Sequence, residues 1–277
     1  MTTRLKLGVC LTCQGAFFEQ LKSLEDLDVE VIFRANFQLF QEGAPFPEEW
    51  QHVDAFIFQP VVNPPSDYYS DANLLANHVS HQATVIRAPY IMYTGQYPWY
   101  CGKEQNEART AYGISWVDDN LESFKAGELG VDDVLEWTNC DILKYHEMSL
   151  RLLREKEAEC DIRGFADYIE ENIRDHSLFW TPNHPRGDLA SLLCSQALAL
   201  LGIELSPKRL ATILDSVLTP ERSPVLPCVR RALGIHHRTD LAYFLGDELP
   251  LPVRSYVSEY IDRRISQTDV PTDKLTS

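Results

Sequence analysis

The sequence predicts an α/β fold with a parallel-type sheet and flanking helices in the N-terminal half and a mainly helical C-terminal half. Over the first hundred residues, short β-branched or apolar runs alternate with segments of helical spacing. Long helix-forming stretches follow from about residue 140. The composition, 44% hydrophobic and 24% charged, is that of a globular protein.

The N-terminal half is predicted to contain four strands separated by helices. The strands are residues 5–10, 29–33, 54–60 and 83–86, and the helices include 16–24 and 73–82. Strands that alternate with helices form parallel sheets, and ligands bind beyond the carboxyl ends of such strands. Cys13, Gln59 and Arg87 each follow a predicted strand, so we expect them near one edge of the sheet.

The C-terminal half is predicted to be helical at 141–160, 163–174 and 189–201, with the last helix buried on most sides. Ser206 as the cap and Pro207 as the first residue start a further helix. We expect one domain over 1–277: an α/β subdomain at 1–100, a mainly helical part at 101–267 that shares a cleft with it, and a flexible tail at 268–277.

The charge balance limits the partners. Twenty-five Lys and Arg against 41 Asp and Glu give a net charge of −16. Such a surface repels phosphate backbones and anionic lipids, so nucleic acid and membrane are not expected partners, although a local basic pocket could still hold one anionic small molecule. No signal peptide or spanning segment is recognisable, which predicts a cytoplasmic protein with its seven cysteines reduced.

The pair Cys10-x-x-Cys13 has the spacing of a redox centre, but Cys10 falls inside a strand pattern. Cys13 lies in the turn from strand to helix, where backbone N–H groups and the helix dipole stabilise a thiolate. Cys13 is therefore the candidate nucleophile, with a small buried cysteine at a tight turn as the alternative.

His184 lies in the segment Pro182-Asn183-His184-Pro185, whose prolines exclude helical backbone and hold the ring in a fixed direction. A general base needs such an orientation. The alternative is a histidine that caps a carbonyl in a helix-entry loop. His78 and His81 have no convincing third ligand, so no metal site is predicted.

The stretch 88–100 contains five aromatic residues interrupted by proline and glycine, as a pocket wall or as core beneath a loop. Together with the preceding motifs it carries a resemblance to a known family. Four pieces occur in the order and at about the separations of the WcbI-type polysaccharide-biosynthesis proteins: Cys13-Gln14, Phe58-Gln59-Pro60-Val61, the run from Pro89 to Pro98, and Phe179-x-x-x-Asn183-His184-Pro185. The chain resembles that family over roughly 5–205. Leu11 and Thr12 stand where the family usually has Gly and Asn, so an oxyanion role for that amide is not expected here.

The resemblance implies a cradle-like α/β fold and a CoA-dependent acyltransferase. The acyl group, acetyl by first expectation, would pass to a small-molecule acceptor, namely a hydroxyl or amine of a sugar or other small biosynthetic metabolite. Cys13 and His184 would be catalytic, by a covalent route or by direct transfer with Cys13 lining the pocket. Coenzyme A or acetyl-CoA would be the acyl donor. Gln14, Gln59, Arg87, Tyr97, Asn183 and Arg186 would bind it.

Arg87, Lys103, Arg109 and Arg186 flank these loops and could contact the CoA phosphates, with surface ion pairs as the alternative for each. Two other functions remain open from the sequence. One is an esterase-like hydrolase with a cysteine nucleophile, and the other is a non-catalytic protein that binds CoA or a metabolite.

Overall fold

The structure is a computed structural model that describes residues 4–40, 43–61, 64–101, 113–136, 141–218, 222–237, 241–242 and 250–268. The chain forms two compact units. Unit 1 comprises Met1–Met92, Arg151–Glu170 and Asn183–Leu218, and unit 2 comprises Tyr93–Leu150, Glu171–Pro182 and Thr219–Ser277. The predicted single domain with a boundary at residue 100 stays a prediction, and its tail lies outside the described residues from 269 onward.

Ten strands and twelve α-helices occur in the described part of the chain. The strands are β1 Leu5–Cys10, β2 Val29–Phe33, β3 Ala55–Phe58, β4 Thr84–Arg87, β5 Tyr100–Cys101, β6 Gly113–Ile114, β7 Phe179–Thr181, β8 His184–Pro185, β9 Leu241–Ala242 and β10 Leu251–Pro252. The helices are α1 Ala16–Gln20, α2 Asn36–Phe40, α3 Asp71–Asn73, α4 Ser115–Asp119, α5 Leu121–Lys125, α6 Val131–Leu135, α7 Ile142–Ala158, α8 Phe165–Asn172, α9 Gly187–Leu200, α10 Pro207–Leu214, α11 Pro227–Leu233 and α12 Val253–Thr268. The predicted α/β fold with a mainly helical second half is confirmed.

Unit 1 is built on a parallel sheet with the strand order β2-β1-β3-β4. In its register, Leu7 pairs with Val31 on one side and with Ala55 on the other, and Phe58 pairs with Arg87. The inner strand β3 is buried throughout and β1 is buried from Leu7 to Cys10, as apolar strands with both faces covered should be. The sequence pattern therefore predicts this sheet correctly.

The two helices that follow residue 186 provide much of the core of unit 1. Helix α9 packs on α10, and both contact α1. Elsewhere in the unit, a cluster around Trp50, Phe56 and Phe58 is completely or almost completely buried. The indole Nε1 of Trp50 donates to the carbonyl of Ile32 at 2.9 Å, so this large side chain is buried without an unpaired donor.

Unit 2 is organised around α12, which packs on α5 and α6. Asp118 accepts hydrogen bonds from the Tyr260 hydroxyl at 3.0 Å and from Arg264 Nε at 2.6 Å. In the same unit the Tyr93 hydroxyl lies 2.6 Å from Nδ1 of His146, and burial raises the pKa of Tyr93. The interior of unit 2 therefore contains polar side chains that are hydrogen-bonded to one another.

Two element predictions are wrong in detail. The helix predicted at 73–82 begins earlier, at Asp71, because the Ser70 hydroxyl accepts from the N–H of Asn73. It continues as a π-helical turn at Leu74–His78 and ends there, since Val79 is extended and buries its side chain in the core. Helix α10 begins at Pro207 as predicted, but the Ser206 side chain makes no capping hydrogen bond.

No helix in the described ranges combines the length and the apolar character that crossing a bilayer requires.

Candidate functional site

The sheet order of unit 1 contains a reversal point, which lies at the carboxyl edge of the sheet. Strand β1 lies between β2 and β3, so the chain leaves β1 toward one side and returns on the other. In parallel sheets, ligands bind at such a reversal point, outside the carboxyl ends of the strands. Thr12, Cys13 and Gln14 follow β1, Gln59 follows β3, and Arg87 is the last residue of β4. The structure thus places three predicted site residues, Cys13, Gln59 and Arg87, at one edge.

Cys13 starts a 3₁₀ turn, Cys13–Gly15, that leads into α1. Its side chain is partly exposed, whereas that of Cys10 is 2% exposed within β1. Burial raises the pKa of the Cys10 thiol to about 12, and the negative charge of Asp71 contributes in the same direction. Cys10 therefore stays protonated at neutral pH, and Cys13 is the better nucleophile of the two.

The cysteines whose side chains the structure describes are 10, 13, 160, 194 and 228, and none of these is joined in a disulfide.

Gln14 is completely buried and connects the Cys13 turn to two distant segments. Its Nε2 donates to the carbonyl of Ile91 at 2.7 Å and to that of Asn183 at 2.9 Å. Its Oε1 accepts from the N–H of Ile91 at 3.2 Å and from Nε2 of Gln59 at 3.4 Å. Both amide hydrogens are used inside the protein, so the geometry favours a positioning role. The predicted contact with CoA stays a prediction.

Gln59 has a similar role on the neighbouring strand. It is 4% exposed, and its Oε1 accepts from the N–H of Thr12 at 2.9 Å. Its Nε2 donates to Gln14 and to the carbonyl of Pro89, both at 3.4 Å. The end of β3 therefore supports the turn that carries Cys13, and the CoA contact predicted for Gln59 likewise stays a prediction.

The glycine after Gln14 is required by a close approach. A Cβ on Gly15 would lie 2.1 Å from a ring carbon of Phe33, the last residue of β2. The ring of Phe33 lies against the turn, so a larger residue would displace one or the other.

His184 lies on β8 and is 8% exposed. The carbonyl of the preceding residue, Asn183, accepts the hydrogen bond from Gln14, and β8 contacts the turn Cys13–Gly15. The two residues predicted as a catalytic pair therefore belong to adjoining segments of unit 1, although they are far apart in the sequence.

Arg186 forms a bidentate ion pair. Its Nε and Nη2 donate to the two carboxylate oxygens of Asp215 at 3.0 and 2.8 Å, and the N–H of Gly187 donates to the same carboxylate at 3.0 Å. A Cβ on Gly187 would lie 2.0 Å from the carbonyl oxygen of Ala211, so α9 begins directly against the backbone of α10. Of the two interpretations of Arg186, this geometry favours the ion pair.

Arg87 differs from Arg186. Its backbone N–H donates to the Asp161 carboxylate at 2.7 Å, but its exposed guanidinium has no ion-pair partner among the described residues. Its charge lowers the pKa of Asp71, which burial raises more strongly. Arg87 thus remains able to bind an anionic ligand.

The remaining predicted residues belong elsewhere or are not described. Tyr97 lies in unit 2 and is 2% exposed. The centroid of its ring is 6.4 Å from that of Trp99, as is common between aromatic core residues. Lys103 and Arg109 lie outside the described residues. The described side chains include no group of three or more His, Cys, Asp or Glu that could hold a metal ion.

Sequence reasoning misses Arg34, Asp161 and Asp215. Arg34 directly follows β2 and lies at the same edge of the sheet as Cys13 and Gln59. The rule that selects residues after each strand would have found Arg34. The two aspartates act through contacts far along the chain and give no local signal.

Comparisons with known proteins agree with the fold and identify a family. The family model for the polysaccharide biosynthesis enzyme WcbI matches residues 13–206. A solved structure of WcbI, described as a novel polysaccharide biosynthesis enzyme, superposes with a TM-score of 0.74 at 18% identity, covering 97% of this chain and 91% of that one. It shows the native protein without a disulfide bond between coenzyme A and a cysteine. No curated protein matches the chain.

Proposed function

Because the chain belongs to the WcbI family of polysaccharide biosynthesis enzymes, we propose that it is an acyltransferase that uses coenzyme A as the acyl carrier. We take acetyl as the acyl group, and it passes to a hydroxyl or amine of a sugar or another small biosynthetic metabolite. The observation that carries this proposal is the bonding of Gln14, which connects the Cys13 turn to the segment that precedes His184.

The residues present fit a CoA thioester as substrate. Cys13 is partly exposed at the carboxyl edge of the sheet, which is where small ligands bind in parallel sheets. Arg87 lies at the same edge without an ion-pair partner in the described part of the chain, so its guanidinium can contact a phosphate group. The solved WcbI structure supports the choice of CoA, since its description names coenzyme A together with a cysteine.

In the covalent route, the Cys13 thiolate attacks the acyl carbonyl carbon, a new carbon–sulfur bond forms, and the CoA thiolate leaves. The backbone N–H of Gln14, directly after Cys13, would stabilise the oxyanion, since the N–H groups of Gly15 and Ala16 already donate to the carbonyls of Thr12 and Cys13. His184 then takes the proton of the acceptor hydroxyl, whose oxygen attacks the acyl group and releases Cys13 as thiolate. In the direct route, His184 deprotonates the acceptor in the same way, and Cys13 only lines the pocket.

Alkylation of the thiols tests this function. With limiting iodoacetamide and peptide mass spectrometry, we expect Cys13 to be labelled before the buried Cys194 and Cys228, because only an accessible thiolate reacts. Saturating CoA should slow the labelling of Cys13 at least tenfold, while adenosine at the same concentration should leave it unchanged. Incubation with acetyl-CoA should add one acetyl group to Cys13 if the covalent route operates.

Labelling of Cys13 that CoA does not slow would remove CoA from this site. Release of acetate from simple esters with no dependence on CoA would identify a hydrolase instead.

A further inference from the structure

Arg34 lies next to the segment that leads to Cys13. Its backbone N–H donates to the carbonyl of Val9 at 3.0 Å and extends the pairing of β2 with β1 by one residue. Because Val9 pairs with Phe33, the next pair in this register is Cys10 with Arg34. Neighbouring strands are about 4.8 Å apart, so Arg34 begins one strand spacing from Cys10 and three residues before the Cys13 turn starts.

The guanidinium of Arg34 is incompletely satisfied. Its Nε is buried and has no hydrogen-bond partner, and no carboxylate pairs with Arg34 in the part of the chain that the structure describes. In the same unit, Arg186 and Arg209 each hold an aspartate. An arginine N–H that is buried without an acceptor is costly, and an anion bound in the working protein would supply that acceptor.

The position of Arg34 bears on which ligand supplies the anion. About fourteen bonds separate the sulfur of CoA from its nearest phosphate, which is about 15 Å in an extended arm. With the thioester at Cys13, these phosphates lie well beyond Arg34. Arg87 lies on the other side of β1, two strand spacings or about 10 Å from Cys10 along the edge, through the pairs of Cys10 with Phe58 and of Phe58 with Arg87.

We infer that Arg34 forms an anion subsite beside Cys13, and that the molecule which receives the acyl group carries a carboxylate or a phosphate. This inference rests on the proposed function and adds the chemical class of the acceptor. Asp71, the acidic group near Cys10, also faces Arg87, whose positive charge offsets it. An acidic sugar derivative bound beside Cys13 would therefore meet the positive charge of Arg34, which no carboxylate neutralises among the described residues.

The selectivity of Cys13 between two alkylating reagents measures this charge. Iodoacetate is anionic and iodoacetamide is neutral, and both react with the same thiolate, so the ratio of their rates reports the local potential. Replacing Arg34 by glutamine (Arg34→Gln) should lower the iodoacetate-to-iodoacetamide ratio severalfold, as expected when one unit charge is removed from the neighbourhood of the thiolate. Arg34→Lys should retain most of the ratio.

The matched control is Arg209→Gln, which removes one positive charge from the exposed surface of the same unit and should leave the ratio unchanged. The inference would be overturned if Arg34→Gln left the iodoacetate-to-iodoacetamide ratio unchanged or if Arg209→Gln lowered it equally. Failure of both reagents to label Cys13 would overturn it too. Labelling of the buried Cys10 would reveal an unfolded variant.

Competition on the unaltered protein gives an independent test that needs no variant. Inorganic phosphate or acetate should slow iodoacetate labelling of Cys13 more than chloride does at equal ionic strength. The more effective ion identifies a phosphate or a carboxylate as the preferred group. If neither exceeds chloride, no anion subsite exists there.

The outcomes separate this inference from the proposed function. CoA protection of Cys13 with no effect of Arg34→Gln would leave the function standing and remove the anion subsite. If Arg34→Gln lowered the iodoacetate-to-iodoacetamide ratio but CoA did not protect Cys13, the anion subsite would stand and the proposed use of CoA would fall.

Discussion

The side-chain amide of Gln14 accounts for the local geometry of the candidate site. It donates to carbonyls of Ile91 and Asn183, which are 77 and 169 residues away in the chain. Inside a low-dielectric interior such hydrogen bonds are strong, and each partner left alone would be a buried polar group without a bond. Gln14 therefore holds the turn after Cys13 in one position relative to the segment before His184.

Replacing Gln14 by leucine keeps most of the volume and removes every hydrogen bond of the amide. Two carbonyls and one N–H then remain buried without their partner, so we expect a loss of roughly 3 kcal/mol in the free energy of unfolding, measured in urea. The control Gln20→Leu removes one bond of 3.3 Å at the surface and should change stability by less than about 0.5 kcal/mol. Equal effects of the two substitutions would show that Gln14 has no special role.

At the residue scale, sequence reasoning finds Cys13 and His184 because their local patterns, a strand end and a pair of prolines, are visible within a few residues. The actual roles of Gln14 and Gln59 are not visible, since their partners are contributed by the distant segments near residues 89–91 and 183. Arg186 shows the same limit, because Asp215 pairs with it from the end of another helix.

At the scale of elements, the strands are predicted well because β-branched and apolar runs flanked by turns have few alternatives. Helix ends are predicted less well. Residues 73–82 have helical spacing, yet Val79 leaves the helix to enter the core, and the N–H of Ser80 donates to the carbonyl of Trp50. Tertiary packing thus overrides local propensity at that point.

Helix α10 carries two ion pairs of different kinds. Asp215→Asn breaks the partly buried, bidentate pair with Arg186 and leaves the guanidinium without its carboxylate. We therefore expect the free energy of unfolding to fall by roughly 2 kcal/mol, with a lower thermal midpoint. Asp26→Asn breaks the exposed pair between Asp26 and Arg209 and should have little effect on the thermal midpoint.

Both midpoints are measured by calorimetry. A loss for Asp26→Asn as large as that for Asp215→Asn would contradict the assignment of Arg186 to a structural pair at the start of α9.

At the scale of the whole molecule, the net charge of −16 contrasts with two cations at the sheet edge, Arg34 and Arg87, neither of which has a carboxylate partner in the described part of the chain. They place positive charge where the strands of unit 1 end. The α/β class and the parallel sheet follow from periodicity alone. The order of the strands, which sets the reversal point beside β1, depends on long-range contacts that periodicity does not record.

The most direct test of the account is the release of CoA from acetyl-CoA with hydroxylamine as a small surrogate acceptor, compared among the unaltered protein, Cys13→Ala, His184→Ala and the double variant. If the two residues act as one unit, each single substitution lowers the rate about 10²-fold or more, and the double variant loses little further. Full activity of Cys13→Ala with an inactive His184→Ala would select the direct route. The account would be contradicted if both single variants kept full activity or if the two losses of rate multiplied in the double variant. It would also be contradicted if the unaltered protein released no CoA.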